Sequence, residues 1–168
     1  MIDLDITELF EEIVKELPEG LEILYPNGKG GTKVVKSPRL NYIFGSSQYI
    51  KDILDEYSKS SAQSERKFPL VALFTPISED RGDADYFSKA KVSLIIACSS
   101  CKEWSNEMRR TTSFKNILRP IYKRLLEVLY EDSRFDCDYD EKVKHSYSEN
   151  YSYGRYGAVS YTHLRAHE

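Results

Sequence analysis

The residues with the most chemical potential stand together at Cys98-Ser99-Ser100-Cys101. A CxxC pair does redox work when it caps a helix N-terminus, which lowers the thiolate pKa. It supplies half of a zinc site when two further ligands converge on it. Here the pair closes an apolar run and is followed by Lys102-Glu103-Trp104, with the next helix start only at Ser105. Cys137 and His145 are the partners left for a zinc site, and their spacing suits no zinc motif. Small residues ending a buried strand account for the motif better.

Carboxylates gather at Glu79, Asp80, Asp83 and Asp85, around Gly82. A calcium loop of the EF-hand type needs its glycine at the sixth position, and Gly82 comes too early. A metal-dependent nuclease would fix such carboxylates on a strand, whereas these lie in a connection. A solvated acidic loop is the plainer reading, and a loop on a rigid ribbon is also a good contact surface. Arg109 and Arg110, with Lys115, Arg119, Lys123 and Arg124, form a basic helical surface suited to an acidic partner. Glu79, Asp80, Asp83, Asp85, Arg109 and Arg110 are therefore the candidate interaction residues; none is assigned to catalysis, a cofactor or a metal.

Two other candidates fail on spacing. Asn27-Gly28-Lys29-Gly30-Gly31-Thr32-Lys33 is rich in glycine but lacks the phosphate-loop order of glycine, four residues, then Gly-Lys-Ser/Thr. It reads as a turn. No serine sits in a nucleophile elbow, and no Ser-His-Asp set can be assembled around His145.

The elements that would position these residues centre on Phe68 to Cys98. Phe68-Pro69-Leu70-Val71-Ala72-Leu73-Phe74-Thr75-Pro76 and Ala90-Lys91-Val92-Ser93-Leu94-Ile95-Ile96-Ala97-Cys98 are apolar and flanked by turn chemistry, as buried strands are. Their acidic connection is too short for a crossover helix, so the pair is predicted antiparallel. Asp5-Ile6-Thr7-Glu8 has the form of a capping box, and Ile6, Leu9, Phe10, Ile13, Val14 and Leu17 follow at helical spacing. Strands are expected at Leu21–Tyr25, Val34-Val35 and Leu40–Phe44. A second helix follows Gly45-Ser46-Ser47, with Tyr49, Ile50, Ile53, Leu54 and Tyr57 inward. Ser58 to Lys67 reads as a linker. From Ser105 a helix carries Phe114, Ile117, Leu118, Ile121, Tyr122, Leu125, Leu126 and Leu129 on one stripe, with a kink expected at Pro120. The fold class is α+β: a small antiparallel sheet centred on the 68–98 ribbon, with helices packed on one face.

The chain has 168 residues, 40% of them hydrophobic and 30% charged, which suits one domain with a real core. A net charge of −3 argues against a protein that works by neutralising phosphates. No apolar run approaches the roughly 20 residues that cross a bilayer. Three cysteines cannot all pair, and a reducing compartment is expected.

The final ten residues, Val159-Ser160-Tyr161-Thr162-His163-Leu164-Arg165-Ala166-His167-Glu168, resemble a translated sequencing adapter of the transposase-tagmentation type. The codons GTC TCT TAT ACA CAT CTC CGA GCC CAC GAG spell that adapter and give this peptide residue for residue. Residues 1–158 are accordingly expected to form a single α+β domain truncated at its C-terminus, and 159–168 to be a non-native tail left out of fold reasoning.

The element order resembles small virion proteins of tailed phages, in particular the tail-completion, or tail-terminator, family, and Phe68-Pro69-Leu70-Val71-Ala72-Leu73-Phe74, Ser93-Leu94-Ile95-Ile96-Ala97 and Phe114-Lys115-Asn116-Ile117-Leu118-Arg119-Pro120-Ile121-Tyr122 are similar to phage-derived proteins of this size. The resemblance spans Ile6 to Leu129. It implies a structural virion protein of phage or prophage without an active site or cofactor, located in the virion and in the host cytoplasm during assembly. It further implies a ring, usually hexameric, that caps the tail tube and meets the head–tail connector, with neither nucleic acid nor membrane as partner. The competing reading is a small cytoplasmic enzyme, or a metal or redox protein, using the CxxC at 98–101 or the acidic loop at 79–85. A host-encoded binding module is a third.

Overall fold

The computed structural model describes residues 5–80, 89–135 and 145–151, with the backbone of 159–166. Helix α1 (Ile6–Glu16) starts where the capping box requires: the Asp5 carboxylate accepts from the Glu8 N–H and Glu8 accepts from the Asp5 N–H. Strands β1 (Glu22–Pro26) and β2 (Thr32–Lys36) form a separate antiparallel pair. Their turn is built by Asn27, whose Oδ1 accepts from the N–H of Lys29 and Gly31. The glycine-rich stretch is thus an ordered hairpin end rather than a cradle for an anion.

Next come β3 (Asn41–Gly45), α2 (Ser47–Tyr57) capped by the Ser46 hydroxyl, and the short α3 (Ser61–Ser64) inside the expected linker. The central ribbon is β4 (Leu70–Phe74) against β7 (Ser93–Ser99), antiparallel as predicted, with Leu70 opposite Ala97 and Leu73 opposite Leu94. Between them β5 (Ser78–Asp80) and β6 (Lys89–Lys91) pair as a small antiparallel extension. A long helical run follows: α4 (Asn106–Met108), a π-helical stretch (Arg109–Leu118) and α5 (Arg119–Glu131). Strands β8 (His145–Asn150) and β9 (Val159–Ala166) complete a five-stranded sheet of order β3-β4-β7-β9-β8.

The fold is α+β, but two finer expectations are corrected. First, the sheet is mixed, since β3 runs parallel to β4 while the other neighbours are antiparallel. The polar stretch carrying α2 and α3 supplies the crossover that a parallel pair needs. Second, helices cover both faces. Val71, Leu73, Leu94, Ile96 and Cys98 point to a core shared with α1, β1, the π-helical stretch and α5. The alternate residues Leu70, Ala72, Ile95 and Ala97 pack against Ile43 and against Ile50 and Leu54 of α2. Burial on both sides is why these strands read as continuous apolar runs and not as alternating ones.

The backbone of the tail set aside on sequence grounds is placed in the sheet. β9 pairs with β7 from Ser93↔Arg165 to Ser99↔Val159, and with β8 from His145↔Ala166 to Asn150↔Tyr161. The ladder joins main-chain groups, so a stretch without proline or glycine can complete it whatever its history. Pairing bears on packing and not on origin.

At Pro120 the helical run changes type. The Arg119 N–H donates to the carbonyl of Phe114, five residues back, and Pro120 then sits in the first turn of α5. Within a regular α-helix its ring would clash with the carbonyl four residues earlier; a widened turn ahead of it removes the conflict.

Candidate functional site

The CxxC stands at the end of β7, as expected, and its two thiols differ. Cys98 is buried in the larger core, and burial pushes its thiol up to about 12, against a weaker opposite pull from the Ser113 hydroxyl. A thiol so placed is not a thiolate near neutral pH, which is what attack or metal binding needs. Cys101 is exposed, and both cysteines are free. Among the described residues no three His, Cys, Asp or Glu side chains gather where a metal ion could be held.

Of the six candidate interaction residues, Glu79 and Asp80 are exposed on β5. Asp83 and Asp85 lie outside the described residues, as does Cys137. Arg110 is exposed and pairs with Glu107 one turn back. Arg109 is a correction: it is only 6% exposed and presents no surface charge. Its guanidinium donates to the carbonyls of Tyr151 (2.9 Å), Cys101 (3.1 Å) and Lys102 (3.2 Å), and reaches Ser100 Oγ at 3.5 Å. Adjacent arginines on a helix point about 100° apart, so one can be buried while the next is solvated. Arg109 is a clamp that joins the loop after β7, the start of the π-helical stretch and the end of β8.

A second polar cluster, built from residues that no sequence motif singles out, lies where β8 faces the helical run. Glu149 accepts from Arg119 through both carboxylate oxygens, at 2.9 and 2.8 Å, and from Tyr147 Oη at 2.8 Å. The Arg119 guanidinium holds the Glu149 carboxyl below its ordinary range. Tyr122 stacks on Tyr147 with ring centroids 4.4 Å apart, and Tyr122 Oη shares a 2.6 Å hydrogen bond with His145 Nε2. Burial raises the Tyr122 hydroxyl above its ordinary value. A signal was available: His145, Tyr147, Glu149 and Tyr151 alternate with Ser146, Ser148 and Asn150, the period of a strand. The groups bond one another in a way that fastens β8 to the helix.

Two surface features remain. A cleft of about 360 Å³ is lined by Glu11, Val14, Lys15, Arg39, Leu40 and Tyr42, with Lys15 and Glu11 3.8 Å apart. Tyr42 closes one side, its hydroxyl donating to the Thr7 carbonyl at 2.8 Å. Large apolar side chains are exposed at Val34, Phe44, Tyr49, Met108 and Tyr130. Among the described residues no helix is long and apolar enough to cross a membrane. Comparison with protein-family models and with curated proteins returns no match for the chain.

Proposed function

We propose that the chain is a structural subunit of a tailed phage or prophage, a ring-forming tail-completion protein at the head–tail junction or tail end, with other virion subunits as its partners. One observation carries the reading: the β5–β6 ribbon. It continues the β4–β7 hairpin, all three residues of β5 are exposed, and among the described residues the short strands pair with each other alone. A self-contained fold gains little from a polar ribbon that covers no core, whereas a ring subunit must present surfaces to two neighbours. The polar groups inside the molecule are consistent with this role, since Arg109, Arg119 and Glu149 fasten elements together.

The redox or metal reading has less to stand on, because Cys98 is buried with its thiol pushed up to about 12. The test is sedimentation velocity of the full gene product, alone and with its tail-tube subunit, across the micromolar range. A closed, concentration-dependent ring is expected. A strict monomer under all these conditions rejects the reading.

A further inference from the structure

We infer that the β1–β2 hairpin is a contact arm for duplex DNA, entering the major groove tip first so that its lysines meet phosphates on both walls. The inference goes beyond the assembly role above and does not depend on it.

The first observation is one of charge. Residues 23–51 hold Lys29, Lys33, Lys36, Arg39 and Lys51 and no Asp or Glu, inside a chain whose net charge is −3. The small net figure hides a basic segment in an otherwise acidic chain, and contact with phosphates depends on the local charge. Lys29, Lys33, Lys36 and Arg39 follow one another every three or four residues along the hairpin and its exit.

The fold makes this segment an arm. At its base Leu21 and Ile23 are buried and Val35 packs against the deep core, whereas every residue from Pro26 to Val34 is exposed. Among the described residues β1 and β2 pair with each other alone. Asn27 takes the N–H groups of Lys29 and Gly31, which fixes the turn and leaves contact to the side chains. A Cβ at Gly28 or Gly30 would meet nothing within 4 Å, so the space around the tip is open. The side chains of Lys29, Lys33 and Arg39 have no hydrogen-bond or ion-pair partner among the described residues. Lys36 faces Glu22 at 3.8 Å, both well exposed. A pair so exposed holds its members weakly.

Placement selects the ligand. Lys33 and Lys36 are three residues apart on β2, so they leave opposite faces of the ribbon, Lys33 on the side of Val35 and Lys36 on the side of Val34. A flat acidic protein surface would use one face, whereas the two walls of a groove use both. The major groove of B-DNA, about 12 Å wide, admits a two-stranded ribbon, and that of A-form RNA is too narrow. The arm also lacks the apolar centre of a protein interface, since Val34 is the one large exposed hydrophobic side chain between Pro26 and Val34.

The test is fluorescence anisotropy of the full-length chain with a labelled DNA duplex of mixed sequence, about two helical turns long. Four cations give a slope of about −3 to −4 in log K against log salt, so going from 50 to 200 mM salt should weaken binding on the order of a hundredfold. Lys29→Gln with Lys33→Gln should lower that slope by about two. Lys29→Glu with Lys33→Glu should weaken binding further, while Lys115→Glu with Lys123→Glu, the same charge change on the exposed side of the helical run, should bind as wild type does. Circular dichroism checks that each variant keeps its fold. Equal losses in the two glutamate variants would mean that net charge alone governs binding and would overturn the arm. An RNA duplex or polyglutamate bound as tightly as DNA would overturn the groove assignment. A wild type that leaves the duplex unbound at 50 mM salt overturns the inference outright.

Discussion

The two faces of the sheet are built to different depths. One carries α1, β1, the π-helical stretch and α5 over Val71, Leu73, Leu94, Ile96 and Cys98, with Phe114, Leu118 and Ile121 fully enclosed. The other carries α2 over Leu70, Ala72, Ile95 and Ala97, where the strand side chains are small or face a single helix. On the deep face a side chain is held from several directions. On the shallow face the covering helix can settle into a gap. The same deletion is therefore expected to cost more on the first than on the second.

The sharpest way to break the comparison is to remove the strand that both faces share. A chain ending at Ala158 loses β9, leaving β7 and β8 without their common neighbour. Denaturant unfolding should show a loss on the order of 5 kcal/mol or no cooperative transition, since each ladder bond is worth about 1 kcal/mol net. Unchanged stability would place 159–168 outside the folding unit, as the adapter reading expects. Next, Leu118→Ala on the deep face should cost about 4–5 kcal/mol, against about 2–3 kcal/mol for Leu54→Ala on the shallow one. Equal values would mean that the faces are equally rigid.

A smaller effect belongs to the tie between β8 and the helix. Arg119→Ala should cost about 1 kcal/mol near neutral pH, because the Arg119 side chain is 43% exposed and solvent screens the pair. Glu149 has a folded-state pKa below its ordinary 4.5. Its contribution is thus fully present above pH 4.5 and is lost as the pH falls through the depressed value, so wild type and variant should converge in acid. An Arg119→Ala deficit that persists below that window would assign the loss to packing. Least of all, Lys123→Ala on the solvated side of α5 should change stability by less than about 0.5 kcal/mol.

Local signals were legible where the chain states them locally. The Asp5 cap, the Ser46 cap, the apolar stripe from Phe114 to Leu129 and the central ribbon are all found where the residues put them. What stayed hidden depends on partners far along the chain. The direction of β3 relative to β4 is set by a crossover and not by Asn41–Gly45 itself. The burial of Arg109 is set by three carbonyls that only the folded chain brings together. Glu149 and Arg119 are 30 residues apart, and neither carries a motif that names the other.

The parallel pairing of β3 and β4 has a consequence for chirality. A crossover between parallel neighbours is right-handed in about 98% of cases, because twisted strands return to the sheet comfortably only that way. Once those two strands run in the same direction, the side that α2 covers follows from the stereochemistry of L-amino acids and not from a choice of side chains. The helical run after β7 is then left the opposite side. The face left to the helical run is thus set as early as residue 74, before any of the large side chains between Phe114 and Leu129 enters the sequence.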